Sequence, residues 1–328
     1  MSTAYVCNND SASKSNDDDV CEVNDMLQNM STADNNMSLC ANCGKEGASN
    51  TCNKCKQVRY CNAVCKKKHK HKHKKECERR VAELHDKELF KQPPRDKDDC
   101  PICFRRLPHL NTGSAYMSCC GKLICSGCGH APVYDYQGNE MIEKICSFCR
   151  SPVPTSEEGT VERYKKRVEA GDPVAMCNQG NWYFYGELGF PQDNAKAFEL
   201  WHKAGKLGYA SAFCCIGIAY SREWKDKKKA THYWELAAMG GNAMARHCLG
   251  NSELLAGTVN RALKNYMIAV RDGCPNSLEM IKQMYSRGHA TKDDYMKALQ
   301  SYQTYLGEIK SDQRDKAAAA CEEDYRYY

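Results

Sequence analysis

Fifteen of the chain's 23 cysteines fall between Cys40 and Cys149, most of them in pairs with two residues between. The first run reads Cys40-x2-Cys43, Cys52-x2-Cys55, Cys61-x3-Cys65 and His73-x3-Cys77. The second reads Cys100-x2-Cys103, Cys119-Cys120, Cys125-x2-Cys128 and Cys146-x2-Cys149. Thiolate and imidazole are the donors zinc prefers, and four of them in a tetrahedral shell make a closed structural site. Eight donors in each run predict two zinc ions per run, four per chain. The alternative is a set of scattered thiols, which would not keep this spacing. The chemistry expected is therefore folding around metal to present a binding surface. Elsewhere in the chain no nucleophile–base pair, phosphate loop or cofactor fingerprint stands out.

The elements that must position these donors follow from spacing. His73 and Cys77 are four residues apart and face one way on a helix. His71 is six residues from Cys77, about 240° around the helix, and points elsewhere. His69 shares the stripe a turn further off and is the reserve ligand. In the second run, adjacent Cys119 and Cys120 can reach one ion only through a kinked backbone, which Gly121 would ease; His130 is the alternative donor. Lys122 is a poor ligand because its amine is protonated at neutral pH.

The rest of the chain sets the context. With 328 residues there is room for two or three domains. Mean hydropathy is −0.71 and 27% of residues are charged. The longest apolar run, around Ala212–Tyr220, is far short of a membrane span. The N-terminus lacks a basic start and an apolar stretch, so a signal peptide is not expected, and the chain reads as cytoplasmic or nuclear. In a reducing compartment CxxC pairs hold metal more often than they form disulfides. Residues 1–38, rich in Asn, Asp and Ser, read as a disordered tail.

The cysteine segments, 39–78 and 98–153, are too small to stand on an apolar core alone, so metal is their staple. Between them, 79–97 reads as a helical linker, with a short helix over Arg79–Phe90 ended by Pro93-Pro94. The net charge of +6 is concentrated in Lys66–Arg80. The run Lys66–Lys75 could be a nucleic-acid or nuclear-import patch; the reading preferred is a solvated helix face, with nucleic acid not expected as a partner.

From about residue 160 to 308 the chain repeats. Gly180, Gly217 and Gly250 recur 37 and 33 residues apart. Ala197-x3-Trp201, Ala230-x3-Trp234 and Ala262-x3-Tyr266 keep step, with Ala298-x3-Tyr302 as a fainter fourth unit. Gly208, Gly240 and Gly273 stand where C-cap glycines close helices. Asp172-Pro173 reads as an N-cap followed by Pro at the first helical position. Two helices per unit at this period mean an α-solenoid, in which the Trp and Tyr positions fill the core. Cys177, Cys214, Cys215 and Cys248 read as buried apolar residues. Lys225–Lys229 reads as a solvated inter-helix loop, and 309–328 as a C-terminal tail, frayed from Asp315.

Three resemblances attach to these segments. The first run, with Tyr60 before Cys61 and Lys74 after His73, resembles a MYND zinc finger. The resemblance implies interleaved sites: Cys40, Cys43, Cys61 and Cys65 on one zinc, Cys52, Cys55, His73 and Cys77 on the other. It also implies docking of short proline-containing peptides, although Lys66 and Lys70 replace the usual Gln and Trp. The second run, with CPIC at Cys100–Cys103 and CSFCRSPVP from Cys146, resembles an all-cysteine RING finger. Cross-brace pairing then gives Cys100, Cys103, Cys125 and Cys128 one ion, and Cys119, Cys120, Cys146 and Cys149 the other. Lys122 stands where a RING histidine is usual, and Ser147 where proline is usual. By the same resemblance Ile102 would contact a ubiquitin-conjugating enzyme, and Arg150 would be the linchpin cation. The repeats, with Ala245-x3-Leu249-Gly250 and Lys-Ala-x3-Trp, resemble Sel1-like repeats, relatives of the tetratricopeptide class.

The expected fold is mainly α: a Sel1-like α-solenoid preceded by two small zinc-stabilised modules. The expected function is a zinc-binding adaptor for protein partners, a RING-type ubiquitin ligase. It would recruit a conjugating enzyme through the RING and clients through the repeats and the MYND finger. The alternatives are a non-catalytic interaction scaffold and, more weakly, a nuclear nucleic-acid-associated regulator.

Overall fold

The computed structural model describes residues 39–91, 99–109, 113–135, 137–141 and 144–320. The tail expected over 1–38, the Pro93-Pro94 pair and residues 321–328 lie outside them. Among the described residues, no helix is long and apolar enough to cross a membrane. The chain divides into two compact units, broken between Lys91 and Gln92.

The first unit holds the hairpin β1 (Asn50–Thr51) and β2 (Arg59–Tyr60), followed by α1 (Ala63–Leu89). The short linker helix expected over Arg79–Phe90 is instead the second half of α1. No glycine or proline interrupts the 27 residues of α1. Asn62 caps the start, accepting from the Cys65 N–H at 2.9 Å, and Arg79 pairs with Glu76 and Glu83 across the exposed surface. Propensity and (i, i+4) pairing thus carry the helix straight through the boundary.

The second unit begins with a hairpin, β3 (Ser114–Met117) and β4 (Lys122–Cys125), and the short helix α2 (Ser126–His130). An array follows: α3 (Glu157–Glu169), α4 (Pro173–Tyr185), α5 (Asn194–Lys206), α6 (Ala210–Arg222), α7 (Lys227–Met239), α8 (Ala243–Leu255), α9 (Val259–Arg271), α10 (Pro275–Ser286) and α11 (Lys292–Ile309). Successive helices pack in pairs, α4 on α5, α6 on α7 and α8 on α9, and the pairs stack into a solenoid.

The repeated glycines explain the period. A Cβ on Gly180 would lie 2.7 Å from Cδ1 and Nε1 of the Trp201 indole. Gly217 is closed in the same way by Trp234, and Gly250 by Tyr266, at still closer approach. Each aromatic ring fills the space where its partner helix carries no side chain, so glycine and ring recur together. Cys177 and Cys214 are buried, and Cys215 and Cys248 are half-buried.

Gly240 is the C-cap of α7, with φ −78°, and Gly241, at φ 90°, makes the turn that follows. Two local expectations need correction. Lys227–Lys229 form the first turn of α7, because the Asp226 carboxylate accepts from the N–H groups of Lys228 and Lys229. The tail is not frayed from Asp315: α12 (Asp312–Ala319) is a helix capped by Ser311 and packed on α2. Buried Arg314 and Ala317 anchor it, and neither position belongs to an apolar stripe that sequence patterning could detect.

Candidate metal centres

Four groups of side chains bring their ligand atoms within 4.8 Å of one another. In the first unit these are Cys40, Cys43, Cys61 and Cys65, and Cys52, Cys55, His73 and Cys77. In the second they are Cys100, Cys103, Cys125 and Cys128, and Cys119, Cys120, Cys146 and Cys149. In both units the first and third pairs of the run meet, and the second meets the fourth.

Local turns place the donors. The N–H of Gly44 donates to the Cys40 carbonyl at 2.8 Å, Lys56 to Cys52 at 3.0 Å, Phe104 to Cys100 at 2.8 Å and Arg150 to Cys146 at 2.9 Å. In each knuckle the residue after the second cysteine takes a left-handed backbone, φ 72°, 56°, 55° and 64° in turn. Three of those four are not glycine, and a non-glycine residue there costs on the order of 1–3 kcal/mol. The adjacent pair Cys119-Cys120 uses the same device. Gly121, at φ 70°, donates to the Met117 carbonyl at 2.8 Å, which kinks the chain so that both sulfurs face inward.

His73 is buried, with Nε2 3.3 Å from the Cys55 sulfur. The reserve candidate His69 is outside the cluster: its Nδ1 is 3.2 Å from the Tyr60 hydroxyl, and its ring stacks on that of His73. His71 is exposed, and so is His130 at the end of α2. Most of the lysines between Lys67 and Lys75 are exposed, but Lys66 turns back to Thr51 and Asn53 at 3.0 and 2.7 Å.

The donor sets fit zinc. A tetrahedron of thiolates bound at about 2.3 Å has sulfur–sulfur edges of about 3.8 Å. The separations are 3.7 Å for Cys43–Cys61, 3.6 Å for Cys52–Cys77, 3.8 Å for Cys103–Cys125 and 3.9 Å for Cys120–Cys146, with Cys119–Cys149 shorter at 3.3 Å. A disulfide would need about 2.05 Å.

Thiols held this close divide their protons unequally. The Cys61 N–H lowers the Cys40 thiol to about 6, while the hydrogen bond with Cys65 raises Cys61 to about 12. Cys125 lowers Cys100 to about 4 and is itself raised. The Ser151 hydroxyl lowers Cys149 to about 6, and burial raises Cys119. A dication favours the thiolate at every position, so metal uptake releases protons and acid favours metal loss.

Residues 40–77 match the MYND finger family. This segment is a MYND finger. The matched segment spans the first unit's two clusters, from Cys40 to Cys77. Over 94 residues the chain is 30% identical to a protein named E3 ubiquitin-protein ligase GW2 in Oryza sativa, in both subspecies indica and japonica. The match covers 26% of this chain, and the chain spans 20% of the length of these curated relatives. Among solved structures it is similar to a Sel1 repeat protein from Oxalobacter formigenes, 25% identical with a TM-score of 0.42, over 48% of this chain and 67% of that one. It is also similar to c5321, a protective antigen of uropathogenic Escherichia coli with an SLR fold, 18% identical with a TM-score of 0.38, over 53% and 45% of the two chains.

No local pattern signals how the second cluster segment is held. Arg106 donates to Asp272 at 3.3 Å and to Glu308 at 2.9 Å, and its guanidinium lies over the Tyr305 ring. At the opposite side, the Tyr116 hydroxyl donates to Asp172 Oδ2 at 2.6 Å while Asp172 Oδ1 caps α4. The segment therefore touches both the first and the last helices of the array. Partners this far apart in sequence leave no local pattern.

Proposed function

We propose that the chain is a zinc-dependent protein-interaction adaptor whose second cysteine module is a RING-type finger acting as a ubiquitin ligase. The sixteen clustered donors are its zinc ligands, two ions to each module. The observation carrying the ligase reading is one groove that Ile102 and Arg150 line together with Pro132 and Val133. A groove of mixed character, with Ile102, Pro132 and Val133 along it and a cation at its rim, suits a conjugating enzyme whose ubiquitin tail must be held. Such a module breaks no bond itself; it raises the rate by fixing a reactive geometry. Ile102 supplies the apolar contact, and the exposed Arg150 supplies hydrogen-bond donors to ubiquitin and enzyme together. The short match to proteins named as ubiquitin ligases supports the same class. The helical array selects clients, and the MYND finger docks proline-containing segments.

A second reading is a scaffold without ligase activity. It is favoured by the bond from Arg150 Nη1 to the Tyr134 carbonyl at 2.9 Å, which occupies part of the fork inside the chain. Autoubiquitination with a panel of conjugating enzymes separates the two. Ligase activity predicts chains from the wild type and a loss of 10-fold or more in Ile102→Ala and Arg150→Ala, about 1.4 kcal/mol or more in barrier. No chains with any conjugating enzyme would leave the scaffold. Chains untouched by either substitution would remove these two residue roles.

A further inference from the structure

Arg314 is wholly buried, at 0% exposure, although it stands on the last helix of the chain's described residues. Its guanidinium reaches into the cysteine module. Nη1 donates to the carbonyls of Arg106 and Ile309, both at 2.7 Å. Nη2 faces the Arg105 carbonyl at 3.4 Å and the Cys103 sulfur at 3.9 Å. The approach is close because Gly127, between Cys125 and Cys128, has no side chain. A Cβ there would lie 2.9 Å from both Cγ and the backbone nitrogen of Arg314. The neighbouring Gln313 points its Oε1 at the Cys128 sulfur, 4.0 Å away.

Four thiolates around one dication leave a net charge of −2, and a buried charge is unfavourable unless it is paired. Cys100, Cys125 and Cys128 are all buried. A guanidinium suits the place better than an ammonium, because its planar fork satisfies several carbonyls while its charge faces the sulfurs.

We propose that Arg314 is a positioning residue for the Cys100, Cys103, Cys125 and Cys128 centre: it compensates the charge of the metal-bound thiolates, coupling zinc at that centre to docking of α12. The inference rests on reading that cluster as a zinc site. Coupling is reciprocal, so the factor by which docked α12 raises zinc affinity is the factor by which zinc favours docking of α12.

The test uses the full zinc-loaded chain and follows zinc loss to a chelator by native mass spectrometry. Arg314→Met, of similar reach and no charge, is expected to lose one zinc about 10–100-fold faster than the wild type, with the other ions unchanged. Arg314→Lys, which keeps the charge, should fall between the two. Release from Arg314→Met at the wild-type rate, or from Arg314→Lys as fast as from Arg314→Met, overturns charge compensation. Should Arg314→Met not fold, hydrogen exchange on the wild type decides: α12 amides lose protection when that zinc is withdrawn, and unchanged protection overturns the coupling. A Cys103→Ser chain that holds as much zinc as the wild type overturns the zinc assignment itself, a failure distinct from that of Arg314.

Discussion

Asn181 accepts a hydrogen bond from the Trp201 indole N–H at 3.1 Å, one residue beyond the glycine that makes room for the ring. The third repeat copies the arrangement, with Asn251 accepting from the Tyr266 hydroxyl at 2.6 Å. In the second repeat the corresponding residue is Ile218, and the buried Trp234 Nε1 has no hydrogen-bond partner among the described residues. Ile218→Asn should therefore raise stability by about 1 kcal/mol, the usual net worth of such a bond. Asn181→Ala should lower it by less than that, because the Trp201 N–H also donates to the Cys177 carbonyl at 3.3 Å. Denaturant midpoints of the two variants check both signs.

The seam between the cysteine module and the array depends on Arg106. Asp272 is largely buried and Glu308 half-buried there, and removing the guanidinium takes one partner from each, leaving Asp272 with Arg271 at 3.2 Å. Arg106→Ala should cost on the order of 2–3 kcal/mol. Limited proteolysis should then cut first at the module, since α11 would lose the Tyr305 contact as well. A thermal midpoint equal to the wild type's would contradict this.

His109 gives the same seam a pH dependence. Burial lowers it to about 4, with Arg106 and His247 adding to the fall and Asp272 opposing it. The folded chain keeps this imidazole neutral where the unfolded chain, titrating near 6.5, takes up a proton. Stability at this site is thus intact above about pH 6.5 and lost progressively as pH falls toward 4. His109→Gln removes the titration. The drop in thermal midpoint between pH 7 and pH 5 should be smaller in the variant than in the wild type.

In the second module, Cys119 and Cys120 both face the cluster and His130 does not. Cys119→Ser and Cys120→Ser should each lower the zinc content by one ion, while His130→Ala leaves it unchanged. Zinc content by elemental analysis checks the assignment; a loss confined to His130→Ala would reverse it.

Much of this was readable from residue spacing. The i, i+4 relation of His73 and Cys77 gave their common face, and Gly121 pointed to the kink at Cys119-Cys120. The recurrence of Gly217 with Trp234 gave the paired helices, because one residue's missing side chain is the other's space. What escaped was of two kinds. The continuity of α1 depends on the absence of a breaker, which a composition change near Arg79 disguised. Arg106, Asp272, Asp172 and Arg314 act through partners on distant helices, and Arg314 lies in a segment too polar to suggest burial.

Each of the two eight-donor modules is proposed to fold around a pair of zinc ions. Native mass spectrometry of the full chain, purified without chelator, tests it most directly. Four zinc ions per chain is the predicted result; two would show that one of the modules holds no metal and would contradict the account.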